Sequence, residues 1–286
     1  MKKTAAAILV VLLLLLGVTA GSALGLQWVI AGANRLVPGE LTGDRAGGSL
    51  LGKLDLEGIR YRDDALHLEI GSVGLDWAPS ALLRAKVHLR HLHAAGVDVK
   101  MLARSEQETS EPFTLNSLPI DVEVEDFTVT GISVLEHGAE EPLLIDRVHL
   151  AGAGRGSVLQ LREAAAETPV FAATVQGQLS LDSQQDGRLT TEWWLQLPDM
   201  PRISGTGTLQ GNAKQLQVQQ AISGPADVAL QATLMDVLAE LRWNATVDIR
   251  DFNLQTVQPQ GPERIFAGAF SGSGGLDAFT LSGTST

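Results

Sequence analysis

Lys53-Leu54-Asp55-Leu56-Glu57-Gly58-Ile59-Arg60-Tyr61 decides how this chain folds. Leu54 and Leu56 alternate with Asp55 and Glu57, and Ile59 and Tyr61 bracket Arg60. A period of two places one set of side chains on each face of an extended strand, so the segment predicts a half-buried β-strand. The apolar phase slips at Gly58, which predicts a β-bulge. Leu66, Leu68 and Ile70 repeat the pattern against His67 and Glu69, and Val73, Leu75 and Trp77 follow.

The same signature runs to the end of the chain. Ile120, Val122 and Val124 alternate with Asp121, Glu123 and Glu125. Phe127 with Val129 and Ile132 with Val134 come next, with Gly131 and Gly138 as turn residues. Leu143 with Ile145, Val148 with Leu150, Leu179 with Leu181, Leu216 with Val218, and Leu241 to Ile249 extend it. These are short strands at meander spacing, each with one apolar and one polar face. Two stretches depart from the pattern. Arg104 to Glu111 is polar and acidic and reads as an exposed loop, and the Ala/Glu run Arg162 to Glu167 reads as a helical turn. More than 200 residues of strand signature without a closing helix favour an open, extended sheet over a closed barrel. Gly268 to Leu276 and Phe279 to Gly283 look like further strands broken off in mid-pattern, as in a fragment of a longer protein.

Lys2 and Lys3 precede an uncharged apolar run from Ala5 to Leu26, long enough for a bilayer core that needs about 20 residues. A cleaved signal peptide is the competing reading, with Val18-Thr19-Ala20 as its cleavage site. The anchor is favoured because apolar character continues through Leu24, Leu26, Trp28, Val29 and Ile30. Trp28 is expected at the membrane interface, and the early lysines put the body of the chain outside the cytoplasm, in the periplasm. Trp28, Ala31 and Arg35 have helical spacing and Val37-Pro38-Gly39 ends it, so residues 27–39 predict an amphipathic extension. The expected organisation is therefore an anchor over 1–26, this extension, and a β body over 40–286.

Of 286 residues, 44% are hydrophobic but only 5% aromatic, which suits many β-strands. The chain has no Cys, so thiol nucleophiles, Cys-ligated metals and disulfides are excluded. Lys and Arg number 11 against 9 acidic residues up to position 100, and 10 against 24 beyond it, within a net charge of -12. An acidic distal part repels nucleic acid and anionic membrane surface alike.

Chemical motifs are sparse. His88, His91 and His93 form the one histidine cluster, with Asp98 as the sole nearby third ligand, and read as incidental to a solvent-facing strand rather than as a metal site. Gly152-Ala153-Gly154-Arg155-Gly156 follows Leu150, but Ser157 to Leu161 reads as strand, whereas a phosphate-cradling loop needs a helix there. The pairs Asp63-Asp64, Glu140-Glu141 and Glu123 with Glu125 read as solvated surface, and no nucleophile elbow is present. Neither catalysis nor a cofactor is expected.

The order of features carries a resemblance. Gly25-Leu26-Gln27-Trp28-Val29, Leu36-Val37-Pro38-Gly39, Gly48 to Tyr61, Leu75-Asp76-Trp77-Ala78-Pro79-Ser80-Ala81-Leu82-Leu83 and Gly96-Val97-Asp98-Val99 together resemble the amino terminus of the TamB, or AsmA-like, family. The match is specific over residues 1 to 100 and stylistic beyond. The resemblance implies a taco-like β-groove, anchored in the inner membrane, that conducts phospholipids toward the outer membrane. An alternative within the family is a scaffold for outer-membrane protein assembly and secretion. It also implies an outer-membrane partner, TamA, contacted through a carboxy-terminal region absent from this chain. In this reading Leu54, Leu56, Leu66, Leu68, Ile70, Ile120, Val122 and Val124 line the groove. A glycan-binding secreted solenoid is a third class, disfavoured by one Tyr, seven Phe and five Trp.

Overall fold

The computed structural model describes residues 39–49, 52–102, 117–182, 185–212, 214–237, 241–253, 265–275 and 278–285. The expected anchor over 1–26, the extension with Trp28, and the acidic loop Arg104 to Glu111 lie outside them. No helix among the described residues is long and apolar enough to cross a membrane. They form sixteen strands and one 3-10 helix, in two compact units divided near Ala151.

The first unit holds β1 (Glu40–Thr42), β2 (Arg45–Gly48), β3 (Lys53–Arg62), β4 (Leu66–Trp77), the 3-10 helix Pro79–Arg84, β5 (Lys86–Met101), β6 (Asp121–Leu135) and most of β7 (Leu143–Arg155). Neighbours run β1-β3-β4-β5-β6-β7, with β2 also on β3. What reads as separate short strands, Leu66 to Ile70 and Val73 to Trp77, is one strand of 12 residues, and Val122 to Val134 belongs to one strand of 15. The meander expectation fails where β1 skips β2 to pair with β3, and where β5 and β6 are parallel. Residues 102–120 make the crossover that parallel neighbours require.

Gly58 is not a bulge. Glu57 pairs with Ser72 and Ile59 with Ile70, so the register is the same on both sides of it. Ser72 with Ala95 and Ile70 with Val97, then Ala95 with Thr130 and Val97 with Ile132, do likewise. Gly58, Gly71, Gly96 and Gly131 thus stand in one line across β3, β4, β5 and β6. Gly58, Gly96 and Gly131 have φ of 66, 65 and 62°, a left-handed conformation that glycine adopts without a Cβ penalty. In all four strands the apolar phase slips across this line: Leu56 to Ile59, Val73 to Ile70, Ala94 to Val97, Val129 to Ile132. Left-handed residues interrupt the pleat. They do so on β3, β5 and β6, and β4 changes phase at Gly71 beside them, so pairing continues unshifted while apolar side chains stay on one side.

The second unit holds β8 (Val158–Glu167), β9 (Phe171–Ser180), β10 (Gly187–Leu195), β11 (Ile203–Gly211), β12 (Gln215–Ser223), β13 (Asp227–Met235), β14 (Arg242–Asn253), β15 (Ile265–Gly274) and β16 (Phe279–Ser285). These are antiparallel neighbours in chain order. Arg162 to Glu167 is strand, not helical turn. Ala164, Ala165 and Ala166 pair with Val175, Thr174 and Ala173, and a register shift between Leu161 and Ala164 absorbs the extra length. Pairing with β9 satisfies the backbone of this run, which outweighs the modest helix preference of Ala and Glu.

Candidate apolar transport face

Strand pairing turns the one-strand alternation into rows that cross each unit. In the first unit, Leu54, Leu75, Leu92 and Phe127 make one row, and Leu56, Val73, Ala94 and Val129 the next. Beyond the glycine line come Ile59, Ile70, Val97 and Ile132, then Tyr61, Leu68, Val99 and Val134. Leu54 and Leu75 are buried and form a cluster with Ala46, Leu56, Trp77, Leu89 and Leu92. Of the residues expected to line a groove, Leu54, Leu56, Leu68 and Ile70 fall in these rows. Leu66 pairs with Met101, Val122 with Val87, and Val124 with Leu89. Ile120 lies outside β6, at 41% exposure.

The second unit carries equivalent rows. Trp193, Gly205, Ile222, Val228, Ile249 and Gly268 are successive partners from β10 to β15. Leu189, Leu209, Val218, Ala232, Ala245, Gly272 and Leu281 form a parallel row. Large residues sit where their neighbours are glycine: Trp193 over Gly205, Leu281 over Gly272, and Phe270 over Gly283. A wholly apolar recess opens at one end of this face. It is lined by Trp193, Leu195, Ile203, Ile222, Val228, Ile249 and Phe252, and closed by Met200, Pro225 and Ala226. Reading single strands does not find this recess, since its residues come from β10 to β14 and two turns. Gly205, opposite Trp193, is the one local signal of it.

One polar group enters these rows. Gln220 accepts a hydrogen bond from the Trp193 indole Nε1 at 3.3 Å and donates from Nε2 to Thr191 Oγ1 at 2.7 Å. Its amide is thus satisfied within the sheet by Trp193 and Thr191. The opposite side of the sheet is uncharged and polar over its centre: Gln217, Thr233, Asn244, Ser273 and Thr280 are successive partners, as are Gln219, Gln231, Thr246, Ser271 and Ser282. The two faces differ in chemistry as sharply as a boundary between oil and water demands.

His88 and His91 face acidic residues of β6. His88 Nε2 lies 2.6 Å from Glu125, and His91 Nδ1 3.4 Å from Asp126. Asp126 also receives Thr128 Oγ1–H at 2.8 Å and lies 3.4 Å from His149. The Thr128 hydrogen bond and the two imidazoles hold the Asp126 carboxyl below its usual range. Lys86 pairs with Glu123. Lys86, His88 and His91 on β5 thus face Glu123, Glu125 and Asp126 on β6 as cross-strand partners of the parallel pair. No cluster of metal-ligand geometry occurs among the described residues. Gly152 to Arg155 completes β7, and a turn at Gly156 (φ 54°) leads directly into β8, with no helix to face a phosphate.

No curated protein and no solved structure matches the chain. The family model for the TamB N-terminal domain matches twice, over residues 9–134 and 108–286, and so spans nearly all of it. The chain therefore belongs to the TamB family, whose membrane-associated periplasmic members serve lipid or protein transport, and it carries their N-terminal domain.

Proposed function

We propose that this domain conducts phospholipids, with acyl chains sliding along the apolar rows and headgroups in water. The observation that carries the reading is the apolar recess between Trp193 and Phe252, which opens on the row Trp193, Ile222, Val228 and Ile249. Exposed apolar surface costs roughly 25 cal/mol per Å2 in water, and an acyl chain lying on it removes that cost for both partners. Leu54, Leu56, Leu66, Leu68, Ile70, Val122 and Val124 line the path in the first unit, and Ile222, Val228 and Ile249 in the second. The path needs no charged or nucleophilic group, so no single residue is essential. In this proposal an inner-membrane anchor at Ala5 to Leu26 holds the start, with Trp28 at the interface, and TamA receives the far end of the full protein at the outer membrane.

Photoreactive residues placed singly at Leu68 and Ile222, with Glu69 and Gln219 as controls, test the proposal in the full-length protein in cells. Phospholipid adducts at Leu68 and Ile222 but not at the controls support it. Adducts of outer-membrane proteins at the same apolar positions would overturn it in favour of an assembly scaffold.

A further inference from the structure

The 3-10 helix Pro79–Arg84 between β4 and β5 presents two large leucines to solvent. Leu83 is 89% exposed and Leu82 45%. Only Ala81 of this helix is buried, and it holds the turn to the sheet. The turn is fixed rather than loose: Ala85 adopts the left-handed conformation at φ 52° and its N–H reaches the carbonyls of Ala81 and Leu82. A non-glycine residue held there is strained by about 1–2 kcal/mol, so the leucines are kept outward against a local cost. Ile120, 41% exposed, immediately precedes Asp121, whose N–H donates to the Ala85 carbonyl at the end of this helix at 3.2 Å. Arg84 is exposed beside them, with no ion pair among the described residues.

An apolar tip with an adjacent cation is the chemistry that enters an anionic bilayer surface: the leucines reach the acyl boundary and the guanidinium meets phosphate. A tether argues for this occupant over any other. The apolar run ending at Leu26 joins the folded body at Gly39, which packs on Arg62 and Tyr61 at the end of β3 away from the tip. The chain from Leu26 to Gly39 cannot hold Gly39 more than about 45 Å from that run, and the helical reading of residues 27–39 brings it within about 20 Å. The ten residues of β3 span about 33 Å, so the tip remains within reach of the membrane to which that run is anchored. Tethering turns docking into an intramolecular event at high effective concentration, and a weak two-leucine insertion then suffices.

We infer that Leu82, Leu83 and Ile120, with Arg84, dock the first unit onto the phospholipid leaflet that anchors the chain. This rests on the anchored reading of Ala5 to Leu26. Docking sets the start of the apolar rows against the lipid from which they draw.

The absence of native cysteine permits a clean test. Leu83→Cys and, as control, the exposed Leu144→Cys are labelled with an environment-sensitive fluorophore in the full chain, reconstituted in phosphatidylethanolamine and phosphatidylglycerol vesicles. The expected result is blue-shifted emission at position 83, quenched by nitroxide-labelled lipid and not by aqueous iodide, with the opposite behaviour at position 144. Iodide quenching at both positions overturns the inference. Shielding of position 83 from both quenchers also overturns it, because a protein surface then covers the tip. Failure of the chain to float with the vesicles overturns both the anchor and the docking, while leaving lipid conduction to the crosslinking test.

Discussion

Trp193 on β10 lies directly over Gly205 on β11, and the indole atoms Cε2, Cζ2 and Nε1 fill the space that a side chain at Gly205 would need. The indole is rigid and its Nε1 is engaged by Gln220, so it cannot step aside cheaply. Gly205→Ala should destabilise the protein by about 1–3 kcal/mol through overpacking. Denaturant unfolding followed by tryptophan fluorescence measures it, and an unchanged midpoint would show that the indole has another seat.

Charge in the recess should stop transport without unfolding the sheet. Ile222→Asp places a carboxylate on the apolar row beside Val228 and Gly205, and lipid passage through the full-length protein should fall by at least tenfold. Gln219→Asp, on the polar side of the same strand, should leave passage close to wild type. Equal effects of the two substitutions would mean that the apolar side is not the path.

The glycine line makes a separate prediction. Gly96→Ala and Gly131→Ala force a Cβ into φ of 65 and 62°, and each should cost about 1–2 kcal/mol. A Cβ at either position would meet its neighbours at 3.8–4.0 Å, ordinary contact, so the cost is conformational and not steric packing. Chemical denaturation of the single and double variants measures it. The double variant should be non-additive, because the two residues are direct neighbours.

Tyr61, the chain's only tyrosine, has a pKa pushed up to about 12 by burial and by its hydrogen bond to Asp63 Oδ2 at 2.7 Å. A raised pKa means that folding favours the neutral phenol. The associated stability is complete below pH 10 and is lost as pH rises toward 12. Ultraviolet titration of the phenolate therefore reads one group, and Asp63→Asn should bring its midpoint back toward 10.

Asp126 shows the opposite sign. Its lowered pKa makes the ionised form favourable in the folded state, so its contribution is present at neutral pH and is lost as pH falls through the folded value. Between neutral pH and pH 3 the wild-type protein should lose more stability than Asp126→Asn. Thermal unfolding across that range checks the difference, and parallel pH profiles would contradict it.

Much of this architecture is legible in the sequence. Alternation at Leu54 to Tyr61, Leu66 to Trp77 and Leu241 to Ile249 specifies strands with one apolar face, because successive side chains on an extended backbone must point opposite ways. The slip at Gly58 was visible too. Its meaning was not, since a single strand cannot reveal that Gly71, Gly96 and Gly131 stand beside it and change phase together. Nor could local pattern assign Arg162 to Glu167, where helix preference yields to pairing with β9.

By itself, then, the sequence determined strand content, the apolar and polar faces and a place in the TamB family, because these depend on local period and residue order. Only the tertiary structure decided the parallel pairing of β5 with β6, the common glycine line, and the recess where Trp193 meets Gly205, Ile222 and Ile249. The physical reason is that register and strand order are set by contacts between residues far apart in the chain. Local alternation is the same whichever partner a strand finds.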